Sequence, residues 1–307
     1  MNNKLIKISI LILIATLSLG SCKKEVSVNS SKKINSKETV IVDLKLYTQN
    51  FKSEVYLKES SLWDRFKKGC AQVLVVASAD LMAGVGTAAG IVYLGAPAGV
   101  TPLAPGLVAV AAAGGAIAGA GASIATGQHV KSMLFLENIY LKEIDSLCSN
   151  SENNFDYIGK NHNYLLNYYA KSSQPEISIE MLNNLLNEYM INNNMDESSL
   201  IVKREDILNL AYNSIKHNLE VPYQANNITN LINNNYQDSY DKEMMIIYFN
   251  KISTIESVNE FLEYTKGYEH IIISSIEQES YSNVLSSLSI ARFSVGYWVT
   301  SGELLKK

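Results

Sequence analysis

Three cysteines among 307 residues are too few for a disulfide framework, and the short motifs that announce common chemistries are missing. The four histidines, His129, His162, His217 and His270, are dispersed. None has a second histidine or cysteine at helical ligand spacing, so no HExxH-type metal site is written in the chain. No Lys-Ser/Thr follows the glycines as in a Walker loop, no GxSxG elbow marks a nucleophile, and no cysteine has a persuasive histidine partner. Basic excess is lacking too: 26 Lys and Arg against 30 Asp and Glu give a net charge of -4, which offers no face for nucleic acid. Carboxylates such as Glu277 and Glu279 fall on an expected solvated face. The reading is a non-enzyme with no catalytic residue, no metal, no cofactor and no nucleic-acid partner.

What is present begins with a basic start (Lys4, Lys7) and an apolar run from Ile8 to Leu19, followed by Leu19-Gly20-Ser21-Cys22. The run is short of the roughly 20 residues that span a bilayer, and it ends in the small residues a leader peptidase requires. This arrangement resembles the lipobox of bacterial lipoprotein precursors. The resemblance implies a signal peptide over residues 1–21, cleavage between Ser21 and Cys22, and palmitate-type acyl chains on the Cys22 thiol. Several chains on one cysteine hold a protein stably at a membrane where one holds it only reversibly. The residue after the cysteine is Lys23 rather than an aspartate, which by the same resemblance points to the outer membrane of the cell envelope and leaves the facing side open.

Residues 22–40, rich in Lys, Ser and Asn, read as a flexible tether, since few aromatics and no helical period argue against packing. Residues 41–307 are long enough for a real core and read as one helical domain; whether residues 39–58 hold a short strand or a first helix stays open. Cys70 and Cys148 flank the unusual central segment. Outside the cytoplasm they are free to form a disulfide across its base; two buried thiols are the other reading.

That central segment has almost no charge. Between Lys68 and Lys131 the single Asp, Glu, Lys or Arg is Asp80, most of the 17 glycines lie here, and Pro97, Pro102 and Pro105 cluster at its centre. It parses as a helical hairpin over about 71–127: an arm from Ala71 to about Leu94, a Gly/Pro loop, and an arm from Leu107 to about Thr126. Small residues recur at four-residue spacing, Gly86 and Gly90 in one arm, Ala111, Gly115, Gly119 and Ser123 in the other. Residues so spaced share a helical face and let backbones approach closely. Glycine costs a helix interior about 1 kcal/mol relative to alanine, and close packing is the compensating reason. The stretch resembles the glycine-zipper hairpins of some bacterial envelope lipoproteins. Each arm is long enough to cross a bilayer, but Asp80 and the weak hydrophobic drive of Ala and Gly oppose insertion. Burial against the chain's own helices, membrane insertion and oligomer contact are the three outcomes.

The remainder is helical in period. Met133, Leu136, Tyr140, Ile144 and Leu147 share a face, as do Leu182, Leu185, Leu186 and Tyr189. Ser253 with Glu256 fits a capping box, Lys266-Gly267 fits a helix stop, and Pro175 and Pro222 mark breaks. The seam Tyr281, Val284, Leu288, Ala291, Val295 and Trp298 fits core packing better than a partner helix. The run from Tyr157 to Tyr168, with His162 and Asn163 amid tyrosines, resembles a stretch in envelope lipoproteins of Bacteroidota to which no reaction is assigned. His162 satisfying backbone groups is the favoured reading there, and a small polar ligand spot is the other.

The expected fold is therefore all-α, a helical bundle packed around a Gly/Ala-rich hairpin. The expected function is that of a lipid-anchored envelope protein with a structural or interaction role. Its partners are the membrane through Cys22 and either an envelope protein or a second copy. The alternatives are a membrane-active or antibacterial effector that inserts the hairpin, and an enzyme whose site is scattered along the chain.

Overall fold

The computed structural model describes residues 36–52, 83–84, 87–88, 105–129, 141–170, 177–220, 232–233, 236, 238–252, 254–255, 257–275 and 277–304. All of them fall within one compact unit, 34–307. Among the described residues there are nine α-helices, two 3-10 turns and no strand, so the chain is an all-α helical bundle.

Helix α1 (Lys37–Asn50) starts at Ser36, whose side chain accepts from the Thr39 amide at 3.3 Å and so satisfies one of the orphan donors of the first turn. The folded part thus begins inside the segment expected to be tether, and the open choice at residues 39–58 resolves to helix as far as Asn50. The second arm of the central segment is α2 (Pro105–His129). Pro105 opens it because a ring with fixed φ and no N–H costs nothing at the first helical position.

Helices α3 (Leu141–Cys148), α4 (Asp156–Ala170), α5 (Ile179–Asn192) and α6 (Arg204–Glu220) follow. Ser178 caps α5 by accepting from Met181 N at 3.1 Å, and Leu182, Leu185, Leu186 and Tyr189 are all buried along one face, as their spacing predicts. Helix α7 (Ser239–Ile252) leads to α8 (Val258–Ser275) and α9 (Ser282–Leu304). The α8 start is capped by Ser257, which accepts from Glu260 N at 3.0 Å; Ser253 and Glu256, the expected box, lie outside the described residues. Nor does α8 stop at Lys266-Gly267. It runs on to Ser275, and Gly267 is instead a notch in its surface where a Cβ would overlap the Tyr47 ring and hydroxyl.

Helix α9 is the axis of the molecule. It packs on α3 and α4 on one side and on α7 and α8 on the other, and residues 287–298 are buried all round. The seam residues Tyr281, Val284, Leu288, Ala291, Val295 and Trp298 are all in this core. Helix α2 lies against α4, α5 and α6, and more lightly against α9, with residues 110–125 all buried. Helix α1 packs on α7 and α8. Of the face expected around α3, Ile144 is buried but Leu147 is 45% exposed. Its neighbour Cys148 takes the inward position, against Gly296, where a Cβ would overlap its sulfur.

Candidate functional site: a sealed arginine cluster and two packing seams

One charged residue, Arg292, interrupts the apolar stretch of α9 from Ser282 to Gly302, and it is fully buried. Arg292 donates from Nε and Nη2 to Oε1 of Glu269 on α8, at 3.1 and 3.0 Å, and from Nη2 to Oδ1 of Asp156 at 2.5 Å. Its Nη1 donates to the carbonyl of Cys148. Asp156 is the first residue of α4, where a carboxylate meets the positive end of the helix dipole. The loop from α3 to α4 completes the shell. Asn153 donates to Oε1 of Glu269 at 3.0 Å and to the Leu285 carbonyl at 3.1 Å. Asn150 donates its side-chain amide to Oε2 of Glu269 at 2.6 Å and its backbone N–H to Oδ2 of Asp156 at 3.2 Å.

The last carbonyls of α3 are thereby capped by two cations, since Lys266 donates to the Leu147 carbonyl at 3.0 Å. A guanidinium and an ammonium at a helix C-terminus complement its partial negative charge. Burial pushes the Glu269 carboxyl up from its usual range, against the pull of Arg292, Asn150 and Asn153. Burial also works against the Arg292 charge, but Glu269 and Asp156 outweigh it and keep the guanidinium ionised. The Lys266 ammonium is pushed down, first by burial and then by Arg292.

Chemically this arrangement orients helices. Arg292, Glu269 and Asp156 are at most 11% exposed, so the core of the cluster is closed to water. Burial pushes the Cys148 thiol up to about 12, far from the thiolate a nucleophile needs. Cys148 is a free thiol, and Cys70 lies outside the described residues. His162 and Asn163 of α4 are both buried, and Asn163 faces α9. His162 Nδ1 and Asn163 Oδ1 are 2.9 Å apart, and the Asn163 amide donates to the Phe293 carbonyl at 2.8 Å. They form a polar pin between helices. Gly159 on α4 donates its N–H to Ser289 at 3.2 Å, and a Cβ there would overlap the Phe293 ring.

The second seam joins the arms of the central segment. Gly115 and Gly119 are buried. A Cβ at Gly115 would sit 3.2 Å from the Gly84 carbonyl oxygen and 3.6 Å from the Ala88 Cβ, and one at Gly84 only 3.0 Å from the Gly115 carbonyl oxygen. The four-residue pair meeting α2 in the described part is therefore Gly84 and Ala88; Gly86 and Gly90 lie outside the described residues, as do Ser21 and Cys22. On the far side, Ile215 and Leu182 plug the hole at Gly121, where a Cβ would come within 2.5 Å of Ile215 Cδ1 and 3.2 Å of Leu182 Cδ2. Among the described residues no helix is long and apolar enough to cross a membrane, and no group of acidic, His and Cys side chains is placed to hold a metal ion.

The third feature is the seat of α1. Tyr47 stacks on Tyr264 with ring centroids 5.5 Å apart, Tyr264 stacks on Tyr248 at 5.8 Å, and Phe51 meets Tyr264 edge-on at 5.0 Å. Polar ties fix the register. Tyr47 donates to the Tyr264 carbonyl at 3.2 Å, Thr48 pairs with the Tyr264 hydroxyl at 2.9 Å, Lys45 meets Glu243 at 2.6 Å and Lys37 meets Asp238 at 3.3 Å. Compared with known proteins, the chain matches no protein family, no curated protein and no solved structure.

Arg292, Glu269, Asp156 and the Asn pair were not singled out by motif reading. The available signal was a lone arginine inside an otherwise uncharged run, with no local partner at helical spacing.

Proposed function

We propose that the chain is a lipid-anchored protein of the bacterial cell envelope, most simply of the outer membrane, whose helical body serves a structural or interaction role at the membrane surface. The observation that carries this reading is Leu19-Gly20-Ser21-Cys22 behind a basic, apolar leader. A first described helix that starts at Lys37, some residues after Cys22, is compatible with it, because a tethered module needs chain between its anchor and its body. The sealed charge cluster favours a rigid body over a reactive one.

A second reading has its own support: α2 carries no charged residue and is buried on every side by α4, α5, α6 and α9. A helix apolar all round belongs either to a protein core or to a membrane, so insertion of the hairpin is the runner-up function. One experiment separates them. The chain is exported on an ordinary cleavable leader so that it begins at Lys23, and its fractionation is compared with that of the native precursor. The tethered reading expects the native form in the membrane fraction and the Lys23 form in the soluble fraction. If the Lys23 form stays with the membrane through an alkaline carbonate wash, the hairpin holds it there and the runner-up replaces the first reading. If the native form itself is soluble, the anchor is wrong.

A further inference from the structure

Beneath the first turn of α1 lies a buried cluster of acidic and phenolic groups. Asp241, the third residue of α7, is 5% exposed, and its Oδ1 has no hydrogen-bond partner. The Tyr281 hydroxyl, buried in the 3-10 turn Gln278–Tyr281 beside it, has none either. Over them sits the Lys37 ammonium, 5.3 Å from the centroids of both the Tyr240 and the Tyr281 rings. Lys37 is already committed to Asp238, which caps α7 by accepting from the Tyr240 and Asp241 amides at 2.8 and 3.1 Å. The Tyr240 hydroxyl donates in turn to Glu38, on α1.

We infer that α1 is a strap whose docking on α7 and α8 is governed by the protonation of Asp241: closed while that carboxyl is neutral, loosened once it ionises. The groups facing Asp241 set the sign. From α1 comes Lys37, attractive; from the α7 cap comes Asp238, repulsive. Tyr281 of the 3-10 turn and Tyr236 are phenols that stay neutral, because burial pushes both up. Among the described residues one ammonium therefore serves two aspartates, and an ionised Asp241 is left with a share of that counter-charge and no donor to Oδ1. A buried carboxylate so poorly satisfied either neutralises or opens its surroundings to water. Burial and then Asp238 push its titration up to about 7, with Lys37 opposing, which sets the midpoint in the neutral range.

Opening is the way to hydrate the carboxylate, and α1 is the lid. The strap is held otherwise by burial of Val40, Ile41 and Leu44, by the packing of Tyr47 and Phe51 on Tyr264, and by exposed ion pairs, which contribute little each. With undocked α1 leaving Asp241 as an ordinary aspartate, docking weakens about tenfold between pH 6 and pH 8, the range over which the docked carboxyl loses its proton.

The test is amide hydrogen exchange of residues 37–50 in the full chain at pH 6 and pH 8, corrected for the intrinsic pH dependence of exchange. The same is done for Asp241→Asn, which fixes a neutral group of the same shape, and for Lys37→Met, which removes the one counter-charge. The expected result is a protection factor about tenfold lower at pH 8 in the natural chain, a flat profile in Asp241→Asn, and a fall at least as steep in Lys37→Met. Protection that is unchanged or greater at pH 8 in the natural chain overturns the proposal, as does the same fall persisting in Asp241→Asn.

Discussion

Arg292 is one of three arginines in the chain and the only charged residue from Ser282 to Gly302, yet it gathers Cys148, Asp156 and Glu269 from three other segments. A buried ion pair is weak evidence of stability by itself, because desolvation offsets much of the attraction, but breaking one side of it leaves an uncompensated charge. Arg292→Met therefore costs about 3–5 kcal/mol, read as a lower urea midpoint. Adding Glu269→Leu to that variant recovers a large part of the loss, since the second change removes the orphaned carboxylate. If the double variant is no more stable than the single one, the cluster acts through packing and not through charge. None of these partners was legible locally: Arg292 lies 23 residues from Glu269 and 136 from Asp156. Helical spacing says which residues share a face, and nothing about which distant face will meet it. Gly267 illustrates the same limit. Its sequence context reads as a helix end, whereas its role is to leave room for a tyrosine 220 positions away in the chain.

At the level of elements, the helical character of the chain was readable because periodicity is local. Even the inward faces of α5 and α9 came through, since their apolar residues recur at three and four. Register was not legible: spacing singled out Gly86 and Gly90, which lie outside the described residues, whereas Gly84 and Ala88 are the described residues that meet Gly115. Gly121 leaves a tighter hole in α2 than Gly115 does, and it is filled from α5 and α6. Gly121→Leu overpacks it and is expected to destabilise by about 1–3 kcal/mol or more, measured by chemical denaturation. Such a loss, accompanied by greater protease sensitivity of α5 and α6, would show that these helices are held against α2 by the fit at this position. An unchanged midpoint would show the α2 sheath to be loose.

For the whole molecule, the pH profile of stability is set by carboxyls shifted in opposite senses. Asp241 titrates at about 7 when folded against an ordinary 3.8, so the folded state holds a proton that the unfolded state gives up. Its contribution is fully present below about pH 4 and is lost as pH rises through 7. Glu38, Asp196 and Asp238 are shifted down, chiefly by hydrogen bonds at the first two, and their contribution is lost as pH falls below about 4. They lie mostly exposed and weigh less. Thermal unfolding is therefore expected at a higher temperature at pH 5 than at pH 8, by several degrees, with the difference shrinking in Asp241→Asn. A melting temperature that rises from pH 5 to pH 8 contradicts this sign.

The order of the cluster's members along the chain also bears on how the molecule is made. Asparagines and carboxylates come first, at 150, 153, 156 and 269, and the guanidinium that neutralises them comes fifteen residues before the last. A growing chain thus carries Asp156 and Glu269 before it has the guanidinium that pairs with them. The acids of this cluster can be buried as an ion-paired core only once α9 has been added, so the order of synthesis places the seal after the groups it covers.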